Sequence, residues 1–496
     1  MTQDITKLIE SLPLEKQTLL FAELQKQKEK KNGQMVTITP RPRGEEPLPL
    51  SFAQQRLWFL DLYEPDSPQF NMPYAFWLEG KLDAAALHTS LNIIVARHEI
   101  LRTTFADHDG QPYQVIHAAA PIALPFIDLS GHPPTARETQ AQSLIAQEAQ
   151  RPFSLNIGPL VRFTLLRQAQ DQHILLLTFH HIISDAWSQG IFMRELATLY
   201  AALVEKKDDP LAPLPLQYAD YAIWQREYLQ GAVLEKQLAY WKEALGNTPI
   251  LDLPTDRPRP AMRTYNGAGE LLMLPEELTN ALKTLGQQHN ATLFMVLLTA
   301  FQVLLQRYTG QDDIVVGSMI ANRRWAEIER LLGFFANTLA FRGDLSGDPT
   351  FTQVLAQMRD VTLAVYDHQD LPFEKLVDEL HLKRDTSRTP LFQVMLILNN
   401  TPGGGLELPE LQLNMMATDS RTAKFDLTLY LSDTGEGLLA EMEYNTDLFD
   451  TATMQRMLRH YQVWLTSIVA QPQQPISQWP MLAAAERLQL LETWND

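Results

Sequence analysis

Two adjacent histidines with an aspartate four residues on lie in the run Phe179-His180-His181-Ile182-Ile183-Ser184-Asp185-Ala186-Trp187-Ser188, and they are well suited to moving a proton. An imidazole titrates near neutrality, so a histidine held against a reacting group serves as general base or hydrogen-bonding partner. Neighbouring side chains on extended backbone project to opposite faces, so one histidine can meet a cavity while the other packs inward. Asp185, at an expected helix start, can cap free backbone N–H groups or hold a neighbouring cation. The same residues also suit a structural reading as two core histidines and an N-cap, and the motif alone leaves both open.

The flanking sequence supplies the elements that position it. The apolar, β-branched run His173 to Phe179 predicts a buried strand ending at the histidines. Ile191, Leu196, Leu199, Tyr200 and Leu203 recur at helical spacing after them. Upstream, a capped helix is expected from Ser51 to Leu60, a strand over Tyr74 to Leu82, and a helix carrying Leu87, Leu91, Ile94, Val95 and His98. A hairpin turning at Asp109-Gly110, a helix near Arg137 to Gln150 and a strand from Val161 to Arg167 complete a first lobe, residues 50–212. Pro210, Pro213 and Pro215 mark its end. A second lobe, 213–475, opens with helix from Tyr218 through Leu245. It continues through an apolar helix at Thr292 to Gln306, a buried strand at Ile314 to Ser318 and a closing helix over 450–470. Thr401-Pro402-Gly403-Gly404-Gly405 reads as a loop, because it lacks the spacing and lysine of a phosphate loop. Residues 1–33 read as a separate helical segment, either solvated or a contact for another protein, and 34–49 as a proline-rich linker.

Composition narrows the chemistry. The chain has 496 residues, 45% hydrophobic and 20% charged, ordinary for a globular protein with more than one core. It contains no cysteine, which excludes thiol nucleophiles, disulfides and Cys-based zinc sites. A formal net charge of -18 argues against nucleic-acid binding. No run approaches the roughly 20 apolar residues of a membrane span, and the polar N-terminus is unlike a secretion signal, so a cytoplasmic location away from membranes is expected. His98-Glu99 is not a zinc helix, since Arg102 stands where the second histidine is required, and no metal is expected.

Seven segments in order, SFAQQRLWFL (Ser51 to Leu60), RHEILRTTF (Arg97 to Phe105), HHIISDAWS (His180 to Ser188), YADYAIWQR (Tyr218 to Arg226), GFFANTLAFR (Gly333 to Arg342), HQDLPFEKLV (His368 to Val377) and RDTSRTPLFQVML (Arg384 to Leu396), resemble the core motifs of condensation domains of nonribosomal peptide synthetases. The resemblance covers roughly residues 48 to 480. It implies an α/β fold of two lobes like chloramphenicol acetyltransferase, set in a V around a central tunnel. It also implies amide bond formation between a donor thioester and the α-amine of an acceptor. The partners implied are upstream donor and downstream acceptor peptidyl carrier proteins and an adjacent adenylation domain, towards which 476–496 would lead. The chain itself would bind no cofactor, the substrates riding on the carriers' 4'-phosphopantetheine, and the domain by itself would be monomeric.

The resemblance carries roles to individual residues. His181 would face the tunnel as general base or as a positioning group, with His180 its structural partner. Asp185 would pair with an arginine, Arg97 or Arg102 being the candidates. Trp187 and Ser188 would line the tunnel, and Asn337 would bind phosphopantetheine or donor. His368, Asp370 and Glu374 read as a structural hydrogen-bonding group. Ala186 departs from the family's usual glycine, which matters only if the backbone there has positive φ. The first and second segments resemble domains taking an L-configured donor. An epimerisation-type relative, or a stand-alone acyltransferase using coenzyme A, is the alternative.

Overall fold

The computed structural model describes residues 37–44, 46–381, 385–399, 406–416, 422–482 and 484–489. The helical segment expected in 1–33, the loop Thr401 to Gly405 and the stretch 490–496 lie outside these. The described chain opens with a short strand, β1 (Leu48–Pro49), a helix Phe52–Tyr63, and β2 (Asn71–Gly80). Ser51 caps the helix through a reciprocal pair with Gln54. After a helix Ala84–Arg97, β3 (Thr103–His108) and β4 (Gln111–Ile116) form the expected hairpin. Asp109 and Gly110 both take positive φ at its turn, the backbone that matches the twist of the paired strands.

Next come β5 (Phe126–Asp128), a helix Pro134–Gln150, β6 (Val161–Ala169), β7 (Gln172–His180) and a helix Ala186–Val204. The second half supplies β8 (Gly267–Pro275), β9 (Asp313–Ile320), β10 (Asn337–Asp344), β11 (Val394–Asn399), β12 (Leu406–Leu408), β13 (Leu411–Met416), β14 (Leu427–Asp433) and β15 (Gly437–Asn445). Two six-stranded mixed sheets result, ordered β12-β13-β2-β7-β6-β5 and β10-β9-β11-β14-β15-β8. This is the two-lobed α/β architecture that the resemblance implies. β7 is buried almost throughout because both its faces are covered, and it is apolar rather than alternating for that reason.

Each sheet has its own apolar core, and the division between them differs from the expected lobe boundary. The helix Tyr218–Tyr228 puts Tyr218, Tyr221 and Trp224 into the first core, whereas Leu229 and Trp241 begin the second. The prolines near 212 mark a turn, and a turn does not say which core receives the next helix. The described residues of the expected linker 34–49 pack against the first lobe. Arg43 pairs with Asp220 at 2.7 Å and with Glu99 at 2.7 Å, and Ile38 is buried in the first core.

Two segments cross from the second lobe into the first. One runs between β9 and β10 and buries Ile328, Leu331, Leu332 and Phe335 in the first core. The other is β12–β13, which extends the first sheet through the antiparallel register Leu411↔Gly80 to Met416↔Ala75. Gly80 has φ of 126°, and a Cβ there would stand 2.1 Å from the Glu410 carbonyl oxygen. Gly80→Ala is therefore expected to push the crossing strand off β2 at a cost of about 1–3 kcal/mol. Loss of amide exchange protection confined to 411–416, with a lowered urea midpoint, is the signature to measure.

Candidate active site

β7 ends on His180, and a single turn of 3-10 helix, His181–Ile183, re-aims the chain before Asp185 caps the helix Ala186–Val204. This break separates the two imidazoles. His180 turns into the first lobe, edge-on to Phe70 and Phe153 at 6.2 and 6.0 Å between ring centres. Its Nδ1 accepts the Ile182 N–H at 3.1 Å. Burial, with positive charge from neighbours, pushes its pKa down to about 3. It is a neutral structural residue.

His181 has the opposite setting. Its Nδ1 lies 2.8 Å from the Ser184 carbonyl oxygen, which can only accept, so Nδ1 carries the proton and Nε2 the lone pair. Nε2 has no hydrogen-bond partner among the described residues, and the half-buried ring rests 4.5 Å from the ring of Phe334 in the first crossing segment. Desolvation, then the charge of Lys424, lowers its pKa, so the free base is the resting form.

Asp185 holds the crossing segment. One carboxylate oxygen accepts from the Ser188 N–H at 2.8 Å and from Arg323 at 3.2 Å. The other accepts from the backbone N–H groups of Phe335 at 3.0 Å and Ala336 at 3.2 Å. Arg323 also donates to the Ile328 and Leu331 carbonyls, both at 2.7 Å, and stacks over Phe335. The pair is almost wholly buried, 2% exposed on each side. Gly333 fits here because its φ is 154° and a Cβ would lie 1.9 Å from the Tyr218 ring.

The arginine expected beside Asp185 is thus neither Arg97 nor Arg102. Arg97 pairs with Glu195 at 3.1 Å, and Glu195 also meets His98 at 2.8 Å. Arg102 donates to the His117 carbonyl and stands 4.0 Å from Glu99. Glu195 lies ten residues along the helix from Asp185, roughly 15 Å away, so the RHEILR segment packs against the wrong turn. Arg323 stands 138 residues from Asp185, and sequence reasoning does not reach it because nothing local links the two.

Three further assignments change. Ser188 is fully buried; its hydroxyl donates to the Gly333 carbonyl and accepts from Arg323 and the Gly333 N–H. Trp187 spends its indole N–H on the Glu329 carbonyl at 3.1 Å. The Asn337 amide group donates to the carbonyls of Gln369 and Leu371 and its oxygen accepts from Thr338 and Phe373, leaving nothing for phosphopantetheine. The polar groups of all three hold loops. Asp370, bidentate to Arg324, and Glu374, paired with Arg56, are structural as expected. Ala186 is the first residue of its helix and lacks the positive φ that would penalise a Cβ.

The family model for the condensation domain matches residues 45–491. The chain belongs to this family. It is 51% identical over 462 residues to one of the proteins that make up the linear gramicidin synthase of Brevibacillus parabrevis, covering 92% of this chain and 6% of that protein. It is 41% identical over 466 residues to phosphinothricin tripeptide synthetase PhsC of Streptomyces viridochromogenes, covering 93% of this chain and 42% of that one. The condensation domain thus spans less than half the length of either relative. Among solved structures it resembles a complex of the X-domain and OxyB from teicoplanin biosynthesis, with TM-score 0.81 and 29% identity over 91% of this chain and 99% of that one. The fold is also that of the first condensation domain of the calcium-dependent antibiotic synthetase, with TM-score 0.74 and 23% identity over 88% and 100%. Among the described residues of the condensation domain, no single helix is long and apolar enough to cross a membrane.

Unfolding measurements test the buried pair and the inward histidine. Asp185→Ala strands a buried cation and three backbone donors and is expected to cost about 3–5 kcal/mol in urea unfolding. Arg323→Met, which leaves the carboxylate three donors, is expected to cost less. For His180 the variable is acid. Its folded pKa, about 3, lies below its ordinary 6.5, so the unfolded chain takes up the proton first. Its contribution to stability is complete above pH 6.5 and is lost as pH falls from there towards 3. His180→Gln should flatten the slope of unfolding free energy against pH across that window.

Proposed function

We propose that this condensation domain joins a donor aminoacyl or peptidyl thioester to the α-amine of an acceptor aminoacyl thioester, both carried on phosphopantetheine arms of carrier proteins. One observation carries the reading. The Ser184 carbonyl locks His181 in the tautomer whose free Nε2 lone pair is available to an incoming amine.

The chemistry asks little beyond this. The amine nitrogen attacks the thioester carbonyl, a C–N bond forms, and charge collects on the carbonyl oxygen. Collapse breaks the C–S bond and releases the donor arm as thiolate. The surplus amine proton passes by way of Nε2 to that sulfur, giving an amide and a free thiol. A thioester is already activated, so alignment of the two arms and stabilisation of the charge supply most of the rate.

Carrier partners on either side and an adjoining adenylation domain are consistent with the much greater length of the relatives. An L-configured donor is the configuration suggested by Ser51 to Leu60 and Arg97 to Phe105. Two carriers loaded with different aminoacyl groups are expected to yield one dipeptidyl product, on the acceptor, by mass spectrometry. An epimerised donor without elongation, or transfer only from coenzyme A, would replace this reading. His181→Ala should lower product formation at least about 100-fold with an unchanged melting midpoint, since the ring is half-buried and its polar contact is local. Retention of more than about a tenth of wild-type turnover would remove His181 from the chemistry.

A further inference from the structure

The second lobe presents a polar wall that the scheme above leaves unused. β14 and β15 pair in the register Thr428↔Glu443 and Tyr430↔Glu441, while Leu427, Leu429 and Leu431 face the core. Side-chain alternation therefore gathers the threonine, the tyrosine and both glutamates on the face away from that core. Lys424 sits just ahead of β14. Its backbone N–H and the Thr428 hydroxyl both favour the ionised Glu443 carboxylate.

The Lys424 ammonium reaches out of the second lobe. It lies 5.8 Å from the ring centre of Phe70, the first-lobe ring that meets His180 edge-on at 6.2 Å. Among the described residues it has no carboxylate within 4.0 Å, although Lys residues elsewhere on the chain find one. The side chain is exposed to solvent, yet the surrounding protein desolvates it enough to lower its pKa. Lys424 is thus a cation delivered by one lobe to the aromatic ring that packs on His180 of the other.

The remaining charges around His181 do not cancel it. Asp185 is the anion that acts on His181, and its carboxylate is committed to Arg323 and backbone N–H groups. His180 is neutral, and Arg162, which acts on it, adds to the positive field. Glu443 is held up to about 7 by burial, so it offsets Lys424 only in part near neutral pH; Glu441 acts on Glu443 from the same wall, and Arg56 on Lys424 from the helix Phe52–Tyr63.

We propose that Lys424 is a positioning residue for the transfer: its ammonium, held over Phe70 from the opposite lobe, is the fixed positive charge that the second lobe presents to the histidine pair and to the groups reacting beside it. A nearby cation disfavours both imidazolium and alkylammonium, and it favours the oxyanion that forms on the thioester carbonyl. His181 then orients a neutral amine and hands its proton on to the departing sulfur instead of storing it. The inference rests on the amide-forming reading of the site.

The test has one arm that needs no substrate. In ring-labelled protein, carbon–proton NMR of His181 should give a titration midpoint raised by roughly one pH unit in Lys424→Met, and close to wild type in Lys424→Arg. In the two-carrier assay, the acid limb of the pH–rate profile of Lys424→Met should move upward by a similar amount, with the loss greatest on the acid side. An unmoved His181 midpoint overturns the proposal whether or not amide forms, and so does a loss of rate uniform across pH. Circular dichroism checks folding, and Lys424→Gln provides a second neutral variant. A raised midpoint in a domain whose wild type forms no amide would refute the functional reading while leaving the electrostatic link standing.

Discussion

A buried carboxylate with four donors and no spare acceptor capacity organises this molecule. Asp185 opens a first-lobe helix and simultaneously fastens the backbone of Phe335 and Ala336 and the guanidinium of Arg323, all on a segment that leaves and re-enters the second sheet. In an interior of low dielectric, such a group tolerates one arrangement only, because each displaced donor leaves charge uncompensated. Phe334, next in chain to those donors, is thereby held against His181. The placement of His181 is a consequence of the ion pair beneath it.

The two histidines illustrate how environment divides labour between identical groups. His180 closes a strand, accepts a backbone N–H and is sealed among aromatic rings, whereas His181 opens a turn, donates to a carbonyl and keeps one nitrogen free. Their different hydrogen-bond partners dictate different tautomers. Adjacent residues thus acquire separate chemistry from a change of one turn in the backbone.

The features legible in the sequence are those that local physics decides. Apolar runs mark β7 and β9, Ser51 and Thr292 announce helix starts, and Asp109-Gly110 announces a turn. The strand-to-helix junction at His181 is legible for the same reason. What stays hidden depends on contacts distant in sequence. Arg323 is chosen by a fold that brings residues 138 apart together, and Lys424 gains meaning only opposite Phe70. Trp187, Ser188 and Asn337 stand in motif segments, which invites a substrate role for each. Their polar atoms instead satisfy carbonyls and amides of loops, a demand invisible until the loops are in place. The helix Tyr218–Tyr228 joins the first lobe and not the second, and its aromatic face would suit either core.

The crossing strand has a mechanical meaning as well as a structural one. β13 belongs by chain order to the second lobe and by hydrogen bonding to the first, in register over six residue pairs with β2. Parting the lobes would have to break that ladder or stretch the chain on either side of it. The strand is thus a strap whose covalent chain belongs to one lobe and whose hydrogen bonds belong to the other.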